Sequence, residues 1–275
     1  MTGRSLHVAA AQVHSGGTVE QNLSRHYTQA RAAAVVGAKL ILFAEGSVHG
    51  YDYDMTRESI AALAQPMDGP DAQQLSAMAA ELGIVIIAGF YEAQGPAVYN
   101  SMLIAWPEGR RQVARKHMLT TAEKNAGISP GLQERTIITV DGVNCGIVIC
   151  ADAAIRGIYQ NLHDRGCDLR LCPTGGGGSI HDTLSQDDLL TSQGQQKYIA
   201  SRQRVFRPEA ILPENDRPYG MGFVSANALG PMGRNTFHQG HCMIVDGLGV
   251  MRAQIPGTIV REHAQDQMIH SVLHF

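Results

Sequence analysis

The chain has 275 residues and a mass of 29.6 kDa, is 44% hydrophobic, and carries 22 Lys and Arg against 25 Asp and Glu, for a pI near 6.4. That much apolar material excludes a disordered polymer, and a net charge of −3 offers no footprint for nucleic acid or an anionic membrane. No stretch approaches the roughly 20 apolar residues of a membrane helix, the start MTGRSLHVAAAQV has no signal-peptide core, and five cysteines are an odd number for disulfides, so a cytoplasmic setting with reduced thiols and a small-molecule partner is expected.

Residues 6 to 13 (LHVAAAQV) read as a buried strand, broken by Gly16 and Gly17. Residues 19 to 36 place alanines and leucine at helical spacing and close at Gly37, and residues 39 to 44 (KLILFA) form another apolar strand. Strand, helix, strand at this length is a βαβ unit, so the sheet starts out parallel. Glu45 stands where the second strand ends, with Tyr51 in the Gly-rich loop beyond; it is either an exposed loop acid or a carboxylate buried for use. A second helix is expected over 61 to 82, a strand over 84 to 91, and antiparallel strands over 98 to 106 and 111 to 115, the last ending at Lys116. A strand-end lysine is ordinarily a solvated charge. Residues 117 to 131, which include Glu123, read as a loop.

Strands near 136 to 140 and 144 to 149 lead to Cys150, followed by Ala151, Asp152 and a helix from about 155 to 165. A side chain at the carboxyl end of a parallel strand points into the crevice where open α/β sheets bind ligands, which makes Cys150 the candidate nucleophile. If the next helix aims its first N–H groups there, thiolate is favoured over thiol. After a strand at 168 to 172, the four glycines 175 to 178 lack the spacing of a phosphate loop and read as a mobile rim. A helix over 187 to 204, a surface loop over 207 to 219 and strands over 221 to 226, 241 to 246 and 249 to 254 follow, and 261 to 275 is expected to be a tail packing at a subunit interface. A zinc site is disfavoured, because Cys145 and Cys150 bracket a strand instead of sharing a turn.

Three strand ends thus offer a carboxylate, an ammonium and a thiol, and their contexts resemble the nitrilase superfamily of carbon-nitrogen hydrolases. The matches are LILFAE with Gly50-Tyr51, Arg115-Lys116 with Leu119, Glu123 and Pro130-Gly131, and Ile149-Cys150-Ala151-Asp152. Gln12, Gly37-Ala38, Tyr99-Asn100, Gly166-Cys167-Asp168, Ser225-Ala226-Asn227 and Asp246-Gly247 add to them, so the resemblance spans nearly the whole chain. It implies an α/β fold, an α-β-β-α sandwich in one domain over 1 to 275, homodimers or higher homo-oligomers, and a Glu-Lys-Cys triad carried by Glu45, Lys116 and Cys150, with Glu123 as an extra glutamate beside the lysine.

The chemistry that goes with those groups is amide hydrolysis through a thioester, which needs no metal or cofactor. Glu45 would act as base and then acid, and Lys116 with the Ala151 backbone N–H would hold the oxyanion. Departures bear on substrate. Ala151 stands where an aromatic residue is common, Arg156-Gly157 replaces Pro-Glu, Gln160 replaces an arginine, and His117 follows the lysine by one position instead of two. Ala151-Asp152 in place of Trp-Glu argues against the nitrile branch. Tyr51 and Arg156 are the candidate substrate contacts, Arg156 for a carboxylate or merely as a structural helix-start residue. A small linear amide is the expected substrate and an N-carbamoyl compound the second choice. A catalytically silent binder on the same fold and acyl transfer to an amine are the rivals.

Overall fold

The computed structural model describes residues 3–132, 134–205 and 219–275. It holds two six-stranded mixed sheets. The first contains β1 (Ser5–Gln12), β2 (Leu40–Leu42), β3 (Val85–Gln94), β4 (Ala97–Ala105) and β5 (Arg111–Arg115), with a late strand, Gln267–His274, on its outer edge beside β1. The second contains β6 (Ile137–Val140), β7 (Val143–Ile147), β8 (Leu169–Thr174) and the later strands Gly222–Asn227, Cys242–Val245 and Met251–Ile255.

The apolar runs explain the layering. Leu6, Val8 and Ala10 of β1 pack with Leu40, Leu42 and Ile87 against Cys145, Ile147, Leu169 and Leu171 of the opposite sheet. The intervening Ala9, Ala11, Ile41 and Ile86 face outward, under α1 (Val19–Val35) and α3 (Pro70–Leu82). Strands covered on both faces must be apolar at every position, which is why LHVAAAQV and KLILFA show no alternation. On the outer face of the second sheet, α5 (Ile158–Asp164) packs Ile158 and Leu162 on Val148 and Cys167. The architecture is the expected α-β-β-α sandwich.

Several local expectations are corrected. The helix expected over 61 to 82 is two helices, α2 (Arg57–Leu63) and α3. Pro66 lies between them, and Gly69-Pro70 restarts the helix at the one position where a missing N–H costs nothing. The loop expected over 117 to 131 contains a short helix, α4 (Thr121–Asn125), closed by a Thr120–Glu123 capping box. Of the four glycines, Gly177 and Gly178 pair with His238 and Phe237 in a small three-stranded sheet, so this segment is a strand and not a free rim. The helix expected over 187 to 204 opens with a 3-10 turn, Asp187–Leu190, before α6 (Ser192–Val205). The stretch expected as a tail returns into the core sheet: its strand pairs antiparallel with β1 from Ser5–His274 to Gln12–Gln267, and Leu273 is buried. The loop expected over 207 to 219 lies outside the described residues up to 218.

One glycine sets how closely the chain leaving β2 crosses β3. A Cβ on Gly89 of β3 would sit 2.2 Å from the Gly46 nitrogen and 2.6 Å from the Ala44 oxygen, so only glycine lets the chain after β2 cross this close. The crossing is bonded, with Val48 N–H donating to Gly89 O at 2.9 Å and Gly89 N–H to Ser47 Oγ at 3.2 Å. His26, pushed down to about 4 by burial, stays neutral; Nδ1–H donates to Asn22 O at 2.7 Å and Nε2 accepts from the Ser47 hydroxyl at 2.9 Å. Gly89→Ala is therefore expected to cost at least about 3 kcal/mol, the upper range of overpacking, because the atoms struck are backbone. Urea unfolding measures it; a midpoint equal to that of the wild-type chain would show that the crossing is not tight.

Candidate active site

Three chain segments bring the cluster together at one end of the sandwich. Glu45 follows β2, where Phe43 N–H donates to Ile87 O at 2.8 Å. Lys116 follows β5, and its own N–H donates to Asn100 O of β4 at 2.9 Å. Glu123 enters from α4, where the capping box pins it: its backbone N–H donates to Thr120 Oγ1 at 3.3 Å and its Oε2 accepts the Thr120 N–H at 2.7 Å.

The three side chains are fully buried. Lys116 Nζ donates to Glu45 Oε1 at 2.6 Å and to Glu123 Oε2 and Oε1 at 2.8 and 3.0 Å. Asn100 Nδ2 donates to the same two carboxylates, at 2.7 Å to Glu45 Oε1 and 2.6 Å to Glu123 Oε1. Burial pulls the Lys116 ammonium down in pKa, but the charges of Glu45 and Glu123 outweigh it and the net shift is upward. Glu45 is raised, first by burial and then by the neighbouring Glu123 charge, against the lowering effect of Lys116.

Cys150 completes the group. Val148 N–H donates to Leu171 O at 2.9 Å, which extends the pairing of β7 with β8 nearly to the cysteine. Cys150 then opens a 3-10 turn, Cys150–Ala154, with φ of +46°, a left-handed conformation rare outside glycine. It is half-buried. The thiol lies close enough to feel the charges of Glu45 and Lys116. The α5 helix starts only at Ile158, behind Gly157, so the sulfur does not sit at the N-terminus of α5. Burial, then the Glu45 charge, raises the thiol instead of favouring thiolate.

The other expected residues divide. Ala151 is the second residue of the Cys150 turn. Tyr51 is buried against the cluster, its ring centroid 5.5 Å from Lys116 Nζ and its hydroxyl 3.3 Å from Thr120 Oγ1. Arg156 is exposed in the turn before α5 and bonds to none of these residues. His117 contributes its backbone N–H, to Asp152, and burial lowers its imidazole.

Sequence reasoning named Asn100 and Asp152 only as motif matches and gave them no role. An asparagine in the middle of an apolar strand, and an aspartate two residues past the cysteine, were the available signals. Asp152, buried, accepts the His117 and Met118 N–H groups on Oδ1 at 3.0 and 2.7 Å and Arg135 on Oδ2 at 3.0 Å. It ties the cysteine turn to the loop that leaves Lys116.

A family model described as carbon-nitrogen hydrolase matches residues 7–194, well over half of the chain. The chain belongs to the carbon-nitrogen hydrolase family. Among its relatives, a hydrolase of Mycobacterium tuberculosis is 30% identical over 181 residues, 63% of this chain and 62% of that protein, so the chain matches less than two thirds of that relative's length. An (R)-stereoselective amidase of a Pseudomonas species is 27% identical over 228 residues, 82% of this chain and 77% of that one. The crystal structure of an amidase from a Nesterenkonia species shares the fold, with a TM-score of 0.72 at 19% identity, covering 98% of this chain and 92% of that chain.

In this family member the Asp152 clamp makes a direct prediction about stability. Asp152→Ala leaves the half-buried Arg135 without its partner and two N–H groups without an acceptor, and is expected to cost about 3 kcal/mol. Asp152→Asn keeps an oxygen for both N–H groups and is expected to lose less than half of that. Chemical denaturation of the two variants checks the order, and equal losses would contradict it.

Proposed function

We propose that the protein hydrolyses the carbon-nitrogen bond of a small linear amide through a thioester on Cys150. The observation that carries this is a fully buried lysine held at 2.6 Å by one glutamate and 2.8 Å by another, beside a half-exposed cysteine on a strained turn. Burial of that many charged groups is costly and is characteristic of sites that use them. The activity of the Pseudomonas amidase, whose alignment covers most of this chain, supports the amide class.

In this proposal the thiol keeps its proton until substrate arrives, because its pKa is raised, and a neighbouring base must remove it. Glu45 serves through Oε2, the carboxylate oxygen that no other described group occupies. Its raised pKa suits a group that must later return the proton to the leaving amine. As sulfur attacks, negative charge gathers on the carbonyl oxygen, and the Lys116 ammonium and the Ala151 N–H receive it. Of the ammonium's contacts, the 3.0 Å one to Glu123 Oε1 is the longest, and that oxygen already has Asn100 as a donor, so it is the contact an oxyanion displaces at least cost. Glu123 holds Lys116 in place throughout. Water, deprotonated by the same Glu45, then clears the thioester. Homo-oligomerisation and a cytoplasmic setting belong to this proposal as well; light scattering on the purified chain tests the first.

Ammonia release from a panel of aliphatic amides and N-carbamoyl amino compounds tests the reaction. Turnover of an amide is expected, with intact mass spectrometry showing the acyl group on the protein. Cys150→Ala is expected to lose roughly 10⁴-fold or more of kcat and to carry no adduct. Activity of Cys150→Ala equal to that of the wild-type chain rules the thioester out. Silence across both classes, while the wild-type thiol still alkylates, would favour a small-molecule binder.

The pH profile follows from the sign of the Glu45 shift. The base must be ionised, its pKa is raised, and so kcat/KM is expected to rise with pH through an acid limb centred above the ~4.3 of an ordinary glutamate. A limb at or below that value would show that Glu45 is not the group titrating.

A further inference from the structure

Asn100 is 1% exposed, in mid-strand on β4, and its amide has no freedom left. A side-chain amide nitrogen carries two hydrogens, and here each goes to a different carboxylate, Glu45 Oε1 at 2.7 Å and Glu123 Oε1 at 2.6 Å. Its own Oδ1 is buried with no partner among the described residues. A flipped amide would turn that oxygen onto two carboxylate oxygens, so the orientation is fixed by repulsion as well as by attraction. Leaving a buried carbonyl oxygen unbonded is unfavourable, and the arrangement persists because the two charged acceptors outweigh it.

The effect on Glu45 is one-sided. Oε1 receives both Asn100 and Lys116, while Oε2 receives neither. Oε2 faces Gly175, where a Cβ would stand 3.1 Å away. Around Glu45, the titratable groups are Lys116 from the end of β5, Glu123 from α4, Cys150 from the turn after β7, Tyr51 and Tyr53 from the loop after β2, Tyr91 from β3 and Cys172 from β8. Lys116 supplies the positive charge, but an ammonium rotates about its own axis and sets no plane. The amide, anchored on a strand and shared with Glu123, does.

We propose that Asn100 is the positioning residue that makes Glu45 a base on one oxygen only: it holds Oε1 in company with Lys116, so that Oε2 alone is presented to the Cys150 thiol. This rests on the reading of Glu45 as the base. Asn100 also stands between Glu45 and Glu123 and donates to the ionised form of each. Without it Glu45 loses a donor to its carboxylate and feels Glu123 unscreened, and both changes push its proton affinity up.

The test is the acid limb in Asn100→Ala and Asn100→Ser, a hydroxyl being too short to serve both carboxylates. Two readouts are taken on the full chain: the pH dependence of kcat/KM on a hydrolysed amide, and the pH dependence of Cys150 alkylation by iodoacetamide, located by mass spectrometry. Both limbs are expected to move up by about one pH unit, with plateau kcat falling further than KM changes. Circular dichroism establishes which variant folds, and either one suffices. A folded variant whose alkylation limb stays at the wild-type position, or moves down, overturns the proposal. Should the wild-type chain hydrolyse nothing, the hydrolase reading fails, yet the alkylation limb still decides whether Asn100 governs Glu45.

Discussion

The constraint on which the rest of the site depends is the burial of the Lys116 ammonium. An isolated charge in the interior is too costly to keep, so the fold must bring enough oxygen to it, and it does so with Glu45 Oε1 and both oxygens of Glu123. Each partner comes from a different connection: one after β2, one in α4 beyond β5. The two carboxylates then crowd each other, and Asn100 between them eases the crowding that the lysine alone leaves. A cluster of this kind contributes little net stability, and its persistence makes sense as equipment for chemistry.

Placing those groups required unusual backbone at several points. The chain after β2 passes so near β3 that Gly89 is the only residue that fits, and Gly175 stands where a Cβ would meet the Tyr51 ring at 2.9 Å and Glu45 Oε2 at 3.1 Å. Cys150 itself adopts the left-handed region without being glycine, and the Asp152 clamp two residues later holds the turn to the Lys116 loop. Strain at the sulfur and tight packing at the carboxylate are thus matched by hydrogen bonds just outside the atoms proposed to react. The same logic accounts for the neutral His26, which braces Ser47 and through it the crossing that delivers Glu45.

Much of this was legible in the sequence, and the limits have physical causes. Glu45 and Cys150 each terminate an apolar run and Lys116 ends a strand, and a charged or reactive residue at a strand end is visible without coordinates. The sandwich came from the resemblance to the carbon-nitrogen hydrolases, whereas the runs themselves gave buried strands in a βαβ unit with a parallel start. Asn100 was invisible as a participant because its importance lies in two long-range bonds, to residues 55 and 23 positions away. The C-terminal strand was missed because its eight residues, QMIHSVLH, are mostly polar or half-exposed, as befits an edge strand paired on one side only. The Cys150 turn was read as the approach to a helix, whereas Gly157, at φ of +77°, delays the helix by one full turn of irregular chain.

That last difference alters how Cys150 would work as the proposed nucleophile. A helix N-terminus would have stored the cysteine as thiolate. Burial without one stores it as thiol, and the negative charge already held by the cluster reinforces this. The Glu45 charge opposes a further negative charge on sulfur, and the low dielectric of the buried site sharpens that opposition. Passing the proton from Cys150 to Glu45 leaves the total unchanged and merely moves the charge from oxygen to sulfur, beside an ammonium that can follow it. On the proposed reading, the raised proton affinities of thiol and carboxylate are therefore one device. Each is unfavourable to ionise alone, and the transfer between them, which substrate makes productive, is the inexpensive route to a nucleophile.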